Sequence, residues 1–324
     1  AMITRKAAAA LAAGCPMLVR PASETPLSAL ALAELADRAG IPAGVFSVLT
    51  GDIHIVETLC RHADVRAVSF TGSTRVGKIL LGHAADSVKR MSLELGGHAP
   101  FILFDDMDLQ TGVSGAIDAK FQTSGQDCQA ANRIYVQENQ ADAFIAEFTR
   151  RVQALKVGEG RADGVQIGPL INRAAVEKCQ QHVDDALAKG ARLLCGGEVH
   201  AAGRNFYQPT VLADVTADML ISREETFGPV AAITTFRAEE DLHTAMNHPQ
   251  YGLMAYLYTR DHDRIARLSR RLEYGMVAVN CVKVTGHPVP FGGYKQSGLG
   301  REGGHWGLEE FTETKYICAR YQAA

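Results

Sequence analysis

The sequence KFQTSGQDCQAANR, residues 120–133, joins a predicted helix to a predicted strand through a glycine-containing turn. Apolar residues recur at helical spacing from Leu109 to Phe121, and Ile134-Tyr135-Val136 reads as a strand. Ser124-Gly125 ends the helix, so Cys128 is predicted to lie in a turn. Backbone N–H groups there can stabilise a thiolate and a developing oxyanion, which makes Cys128 a candidate nucleophile. The alternative is that Cys128 is one more small buried apolar residue.

A second candidate lies in the apolar strand RMSLELGG, residues 90–97. Glu94 precedes a Gly96-Gly97 turn, and desolvation there would raise its pKa toward that of a general base. The alternative is a surface glutamate paired with a lysine. A thiol nucleophile and a half-buried carboxylate, each beside a glycine turn, together indicate acyl chemistry through a thioester.

The chain before this strand alternates between helix and strand. Apolar spacing predicts helices over 1–13, 26–40, 53–61 and 74–84, and strands over 17–20, 44–49, 67–70 and 90–95. Thr25 and Pro26 are the predicted N-cap and first residue of the second helix. Alternation implies right-handed crossovers and a parallel sheet, an architecture typical of nucleotide binding. A second parallel α/β domain is predicted from Pro100 onward, with strands near 101–104, 134–136, 192–194, 230–236, 254–258 and 276–279.

Composition sets the class of protein. The 324 residues are 47% hydrophobic and 21% charged, enough for two domains, and the net charge of −3 gives no reason to expect nucleic acid or a membrane surface. The apolar run at 7–19 is too short for a membrane span. Seven scattered cysteines without a C-x-x-C pair indicate reduced thiols in the cytoplasm and no metal site.

Two glycine motifs must be weighed before a cofactor site is assigned. Residues 72–79 nearly match a phosphate-binding loop, but Ile79 stands where a magnesium-ligating hydroxyl is required. Residues 298–303 match G-x-G-x-x-G by spacing but follow no predicted strand. What remains is Gly72-Ser73 between a strand and a helix, where free N–H groups favour a phosphate. The alternative is that Ser73 is a plain N-cap.

Four motifs carry a family resemblance, namely LELGG at 93–97, GQDC at 125–128, EETFGPV at 224–230 and PFGGYKQSG at 290–298. Together, in this order and spacing, they resemble the NAD(P)-dependent aldehyde dehydrogenases along the whole chain. RPAS at 20–23 and the tail at 307–318 are most similar to the succinate-semialdehyde dehydrogenases within that superfamily.

The resemblance implies an α/β fold with two open, Rossmann-like parallel-sheet domains. It divides the chain into a partial NAD(P)-binding domain over 1–96, a catalytic domain over 97–312 and an oligomerisation strand over 313–324. That strand would be shared between subunits of a homodimer or homotetramer. The chain opens where family members are already deep in the cofactor domain, so this domain is expected to be incomplete.

The family's oxyanion-binding asparagine falls before position 1. We therefore expect the 324-residue chain alone to be inactive or nearly so. The alternative function is a catalytically silent truncated dehydrogenase with a structural role.

The resemblance also assigns roles to individual residues. Cys128 would attack the aldehyde, and Glu94 would activate the water that hydrolyses the thioester. Cofactor contacts are implied for Gly72 and Ser73 at the pyrophosphate, for the Leu95 backbone along the nicotinamide, and for Glu225 and Phe227 at its ribose.

Expectations about the cofactor and the substrate of this protein follow from positions at which its sequence differs from the family's motifs. Many relatives have a lysine and a glutamate where Arg20 and Ser23 stand, and without the glutamate that repels a 2′-phosphate, NADP is expected to be accepted at least as well as NAD. Gln122 replaces an arginine that clamps a substrate carboxylate in succinate-semialdehyde dehydrogenases, while Thr285 replaces a serine that contacts the same group. Lys283 and His287 flank Thr285. The implied substrate is succinic semialdehyde or a related short semialdehyde, held less selectively than by the arginine.

Overall fold

The computed structural model describes residues 1–286 and 288–321, and its first 94 residues alternate between helix and strand as predicted. The elements are α1 (Met2–Ala12), β1 (Met17–Val19), α2 (Leu27–Arg38), β2 (Phe46–Val48), α3 (Ile53–Arg61), β3 (Ala67–Thr71), α4 (Thr74–Ala84) and β4 (Arg90–Glu94).

These strands form two small sheets, where the sequence predicts one. Strands β1 and β2 pair in parallel, and β3 pairs in parallel with β4. No strand among the described residues bridges β2 to β3, so the two pairs stay separate.

The remainder of the chain builds a larger sheet and then returns to the first unit. Its elements are β5 (Ala99–Leu103), α5 (Leu109–Phe121), β6 (Ala131–Gln137), α6 (Glu138–Gln153), α7 (Arg173–Ala188), β7 (Arg192–Cys195), β8 (Thr210–Ala213), α8 (Leu220–Arg223), β9 (Val230–Phe236), β10 (Tyr251–Gly252), β11 (Met254–Tyr258), α9 (His262–Arg271), β12 (Met276–Val279), β13 (Tyr294–Lys295), β14 (Gly298–Leu299) and α10 (Trp306–Glu309).

Seven strands form the central sheet, in the order β12-β11-β5-β6-β9-β8-β7. Neighbouring strands are parallel except for β7, which runs antiparallel to β8 at the edge. The predicted parallel domain is therefore confirmed apart from this edge. Strand β8, which joins β7 to the sheet, was missed in the sequence.

Side chains of β5 point alternately to the two faces of this sheet. Phe101 and Leu103 belong to the core beneath α5 and α6, while Ile102 and Phe104 belong to the core on the opposite face with Leu268 of α9. Both faces are therefore covered by helices, which is the layered arrangement expected of a mostly parallel sheet.

Short polar side chains begin the helices that flank the site. Ser73 Oγ accepts from the Val76 N–H at 3.3 Å at the start of α4, and an Asp108 carboxylate accepts from the Thr111 N–H at 2.9 Å at the start of α5. At α2 the sequence prediction was one residue off. Pro26 occupies the N-cap, and Thr25 makes no side-chain cap.

A late segment of the chain returns to the strands of residues 1–94. Strand β14 pairs antiparallel with β4, placing Gly298 opposite Glu94. Residues 313–321 form no strand within the described chain, and Tyr316 and Ile317 are 86% and 76% exposed. The role of this segment between subunits stays a prediction.

None of the helices in 1–286 and 288–321 has the length and apolar character needed to cross a membrane. The same residues contain no group of three or more histidine, cysteine, aspartate or glutamate side chains placed to hold a metal ion.

Candidate active site

The nucleophile loop follows α5 through a short 3-10 turn at Gln122–Gly125. Thr123 and Ser124 have φ of 48° and 59°, a left-handed conformation that is strained for these residues. The Ser124 hydroxyl accepts from the Gly168 N–H at 2.8 Å, which holds the strained turn. A Cβ at Gly125 would lie 2.3 Å from the Gly228 carbonyl oxygen, so only glycine fits this approach. Cys128 lies in the turn as predicted, half-buried.

Glu94 is the last residue of β4 and is only 4% exposed. Neither of its carboxylate oxygens has a hydrogen-bond partner among the described residues. Burial, followed by repulsion from Glu302, raises the pKa of Glu94 to about 8. A carboxyl with this pKa is suited to accept a proton near neutral pH.

A buried ion pair lies behind Glu94. Lys6 on α1 is 7% exposed and donates to Glu302, and its ammonium also donates to Thr71 Oγ1 at 2.6 Å. Arg5 Nη1 lies 3.3 Å from Glu302 Oε2, the oxygen that Lys6 does not contact. Glu302 raises the pKa of Glu94, while Lys6 and Arg5 lower it. Sequence reasoning missed this group because Lys6 and Glu302 are 296 positions apart.

The Gly96-Gly97 turn brings the separate parts together. The Gly97 N–H donates to Glu225 Oε1 at 2.9 Å, and a Cβ at Gly96 would lie 2.6 Å from Glu225 Oε2. A Cβ at Gly97 would lie 2.0 Å from the Cys128 carbonyl oxygen. The absence of side chains in this turn therefore allows Glu225 and the nucleophile loop to approach the end of the Glu94 strand.

The electrostatics of the thiol differ from the prediction. The loop was expected to stabilise a thiolate, but the pKa of Cys128 is raised, first by burial and then by Asp127, Glu225 and Glu94. Burial also raises the pKa of Glu225 to about 7, partly opposed by the Gly97 N–H. Burial first, and then three nearby carboxyl groups, therefore favour the neutral thiol over the thiolate.

The PFGGYKQSG segment is hydrogen-bonded to the Gly96-Gly97 turn. Ser297 is fully buried, donates to the Gly96 carbonyl at 2.7 Å and accepts from the Gly252 N–H at 2.9 Å. The Leu95 N–H donates to the Ser297 carbonyl at 2.9 Å. The motif that carried the resemblance thus ties the Gly96-Gly97 turn to β10, a role that sequence reasoning did not assign.

The predicted cofactor residues lie in connections between strands and helices in separate parts of the chain. Gly72 and Ser73 are exposed at the start of α4, where Ser73 also serves as the N-cap. Arg20 Nη2 donates to Ser23 Oγ at 2.8 Å and to the Gly51 carbonyl at 2.9 Å, just before α3. Phe227 has φ of 54° and a side chain 38% exposed, an unusual combination for an aromatic residue.

A groove of about 260 Å³ runs between α3 and α4. Its lining includes Ile53, Val76 and Ile79, and the side chains of Ile53 and Ile79 are 60% and 46% exposed. An apolar cleft at a helix N-terminus fits a planar base with an attached phosphate.

The predicted substrate residues share a second cavity, of about 380 Å³, which Asp127 of the nucleophile loop also lines. Gln122, Thr285 and Lys283 all line it. His287, which flanks Thr285 in the sequence, lies outside the described residues.

Comparison with known proteins gives a consistent result along the chain. The family model described as "Aldehyde dehydrogenase family" matches residues 1–317. An aspartate-semialdehyde dehydrogenase (non-phosphorylating) of Halomonas elongata is 58% identical over 98% of this chain. An NADP(+) succinate-semialdehyde dehydrogenase of Escherichia coli is 52% identical over 98%. These matches cover 65% and 66% of the two relatives, so the chain spans slightly less than two thirds of their length.

Solved structures of aldehyde dehydrogenases also resemble this chain closely. A succinate-semialdehyde dehydrogenase from Burkholderia pseudomallei superposes with a TM-score of 0.96 at 51% identity, covering 98% of this chain and 66% of that one.

Proposed function

Because the chain belongs to the aldehyde dehydrogenase family, we propose that it oxidises a short aldehyde to the carboxylic acid, with Cys128 as nucleophile and Glu94 as general base. The observation that carries the proposal is the Gly96-Gly97 turn, against which the Cys128 backbone packs at the end of the Glu94 strand. Formation of reduced nicotinamide on addition of an aldehyde to the full-length gene product tests the proposal.

The residues support a two-stage covalent mechanism. The Cys128 thiolate adds to the aldehyde carbon, and the carbonyl oxygen accepts a hydrogen bond from the Cys128 N–H as negative charge develops. A nicotinamide cofactor held in the cofactor site would supply the hydride acceptor for oxidation of this adduct. Glu94 then takes a proton from water, which attacks the thioester and releases the acid and the thiol.

The groove between α3 and α4 fits NADP or NAD. The free N–H groups at the start of α4, beside Gly72 and Ser73, would hold the pyrophosphate. The apolar wall with Ile79 would take the adenine. Glu225 would accept hydrogen bonds from the nicotinamide ribose, and the strained, exposed Phe227 would pack beside it.

The position of Arg20 next to Ser23 leads to a prediction on cofactor choice. We expect NADP⁺ to be used at least as well as NAD⁺, because Arg20 offers a planar fork for a 2′-phosphate and Ser23 does not repel it. Ser23→Glu should shift the kcat/KM ratio toward NAD⁺ by about tenfold or more, about 1.4 kcal/mol. Ser87→Glu, which adds the same charge on an exposed turn, should leave the ratio unchanged. A wild type that prefers NAD⁺ tenfold would contradict this assignment.

Gln122 supports a prediction on substrate selection. As a neutral amide it offers a carboxylate one uncharged hydrogen bond, so we expect modest discrimination between succinic semialdehyde and butyraldehyde. Gln122→Arg should raise the kcat/KM ratio in favour of the acid by about tenfold, because a guanidinium binds a carboxylate through two charge-assisted hydrogen bonds. Gln181→Arg on the exposed face of α7 is the matched control. Strong preference for the acid in the wild type, with no gain from the arginine, would mean that the carboxylate is held elsewhere.

We extend the proposal to domain organisation, assembly and location. Residues 1–96 would form the cofactor domain, to which β14 contributes an edge strand, and 97–312 the catalytic domain. The exposed tail with Tyr316 and Ile317 would pair with another copy in a homodimer or homotetramer. Seven free cysteines are consistent with a cytoplasmic location.

A further inference from the structure

Residues 224–229, between α8 and β9, form neither helix nor strand, and they include two of the proposed cofactor residues, Glu225 and Phe227. Within the described chain, the N–H groups of residues 225–228 donate to no backbone carbonyl. Phe227 nevertheless has φ of 54°, a conformation that persists only where the surrounding contacts impose it. The conformation of this segment therefore depends on its contacts with other elements.

Helix α7 supplies two of these contacts from one face. His182 is 1% exposed, and its Nδ1 lies 3.1 Å from the hydroxyl oxygen of Thr226, which is also 1% exposed. Cys179, three residues earlier on the same face of the helix, is fully buried, and a Cβ at Gly228 would lie 2.3 Å from its sulfur. Helix α7 is therefore in contact with Thr226 and Gly228, the two residues that flank Phe227.

The imidazole of His182 is neutral near pH 7. Burial, followed by the positive charges of Lys178 and Lys120, lowers the pKa of His182 to about 4. A neutral imidazole carries one N–H, and Glu224 Oε2 lies 3.7 Å from Nε2, so this carboxylate favours the proton on Nε2. Nδ1 then accepts a hydrogen bond from the Thr226 hydroxyl. Because both partners are buried, replacing one of them leaves the other unpaired.

The residue before Thr226 is held by a different part of the fold. One oxygen of Glu225 accepts from the Gly97 N–H at 2.9 Å, in the turn after β4. The Glu225 side chain is thus fixed by that turn, and the backbone next to it is fixed by His182 on α7. Without the His182 contact, the segment could relax from the strained conformation at Phe227 and draw Glu225 away from the turn.

We propose that His182 is a positioning residue for the nicotinamide half of the cofactor. Through its hydrogen bond to Thr226, it holds Glu225 and Phe227 in the arrangement that binds the nicotinamide ribose. His182 is buried, so it acts through Thr226 and not by contact with the cofactor. The inference rests on the aldehyde oxidation and the cofactor contacts proposed above, and it adds a residue from a helix outside the four motifs.

The test compares variants of the full-length gene product that alter this one hydrogen bond. His182→Phe removes both ring nitrogens at similar size, whereas His182→Asn keeps a polar atom bonded to Cγ, at the place of Nδ1. Thr226→Val removes only the hydroxyl group, so it probes the same contact with the least disturbance of packing. His262→Phe, at an exposed position at the start of α9, is the matched control.

Calorimetry measures the binding of NADP⁺, NAD⁺ and ADP, of which ADP lacks the nicotinamide ribose. We expect His182→Phe and Thr226→Val to raise Kd for the two dinucleotides by about tenfold, as for an unpaired buried polar group, and to leave Kd for ADP within about twofold. KM for the dinucleotide should rise likewise, with KM for the aldehyde changed by less than about twofold. His182→Asn should recover most of the affinity, and His262→Phe should change neither constant. The double variant His182→Phe/Thr226→Val should lose less than the two single effects combined, because it leaves neither partner unpaired.

Each result decides between a positioning role and a structural one. If ADP and the dinucleotides weaken by the same factor, if His182→Asn behaves as His182→Phe does, or if no variant changes dinucleotide affinity, then His182 does not position the nicotinamide half. The dehydrogenase function stands in all three cases. If the wild type binds neither dinucleotide and forms no reduced nicotinamide from an aldehyde, the proposed function fails and this inference fails with it.

Discussion

Cys128→Ala is expected to abolish aldehyde oxidation, lowering kcat by about 10⁴-fold or more. The methyl group cannot form the covalent adduct, so both the hydride-transfer and the hydrolysis stages lose their starting species. Alanine is close in size to cysteine, and the turn is held by Ser124 and Gly168 rather than by the thiol, so the fold should persist. Initial rates with saturating aldehyde and cofactor, together with the thermal unfolding midpoint, measure the two effects separately.

Cys281→Ala is the matched control. Cys281 is an exposed cysteine in the loop after β12, close in sequence to the residues that line the substrate cavity. Its replacement should change kcat by less than about twofold, as is usual for a surface substitution. Loss of activity in Cys281→Ala with activity retained in Cys128→Ala would reverse the assignment of the nucleophile.

Much of the fold could be predicted because the relevant signals are local. Helices α3, α4 and α5 have the bounds that apolar spacing and their caps predict. Strand β8 was missed because it is a run of only four residues, buried throughout and directly preceded by Pro209, which gives no alternation to detect. Strand β14 has two residues, and it exists because Gly298 allows close approach to the Leu93 carbonyl oxygen, a contact across two hundred residues.

The candidate site also has parts that local sequence signals reveal and parts that depend on distant contacts. Cys128 and Glu94 were identified from their own short motifs, and the burial expected of Glu94 is observed. The direction of the Cys128 pKa could not be predicted, because it depends first on how deeply the fold buries the thiol, and Glu225 and Glu94 add to it from distant parts of the chain. The Lys6–Glu302 pair behind Glu94 likewise depends on tertiary structure. Motifs thus locate the proposed reacting groups, whereas the burial and the nearby charges that set the pKa of each come from the assembled fold.

Glu94→Gln is expected to separate the two halves of the reaction. The first turnover should still release a burst of reduced nicotinamide, because attack by Cys128 and loss of hydride do not need the carboxylate. Steady-state turnover should fall by about 10²–10⁴-fold, the usual contribution of a general base, because hydrolysis of the thioester becomes limiting. Stopped-flow measurement of the burst and of the following linear phase gives both rates. Glu177→Gln, at an exposed position on α7, is the control and should leave both phases intact.

The pH dependence of hydrolysis provides an independent check on the same residue. A general base acts in its deprotonated form, and burial with repulsion from Glu302 raises the pKa of Glu94 to about 8. The rate of thioester hydrolysis should therefore rise with pH up to about 8 and level off above it, and this rise should disappear in Glu94→Gln. A burst lost together with the steady state would show that Glu94 acts before hydride transfer. An unchanged pH profile in the variant would mean that another group activates the water.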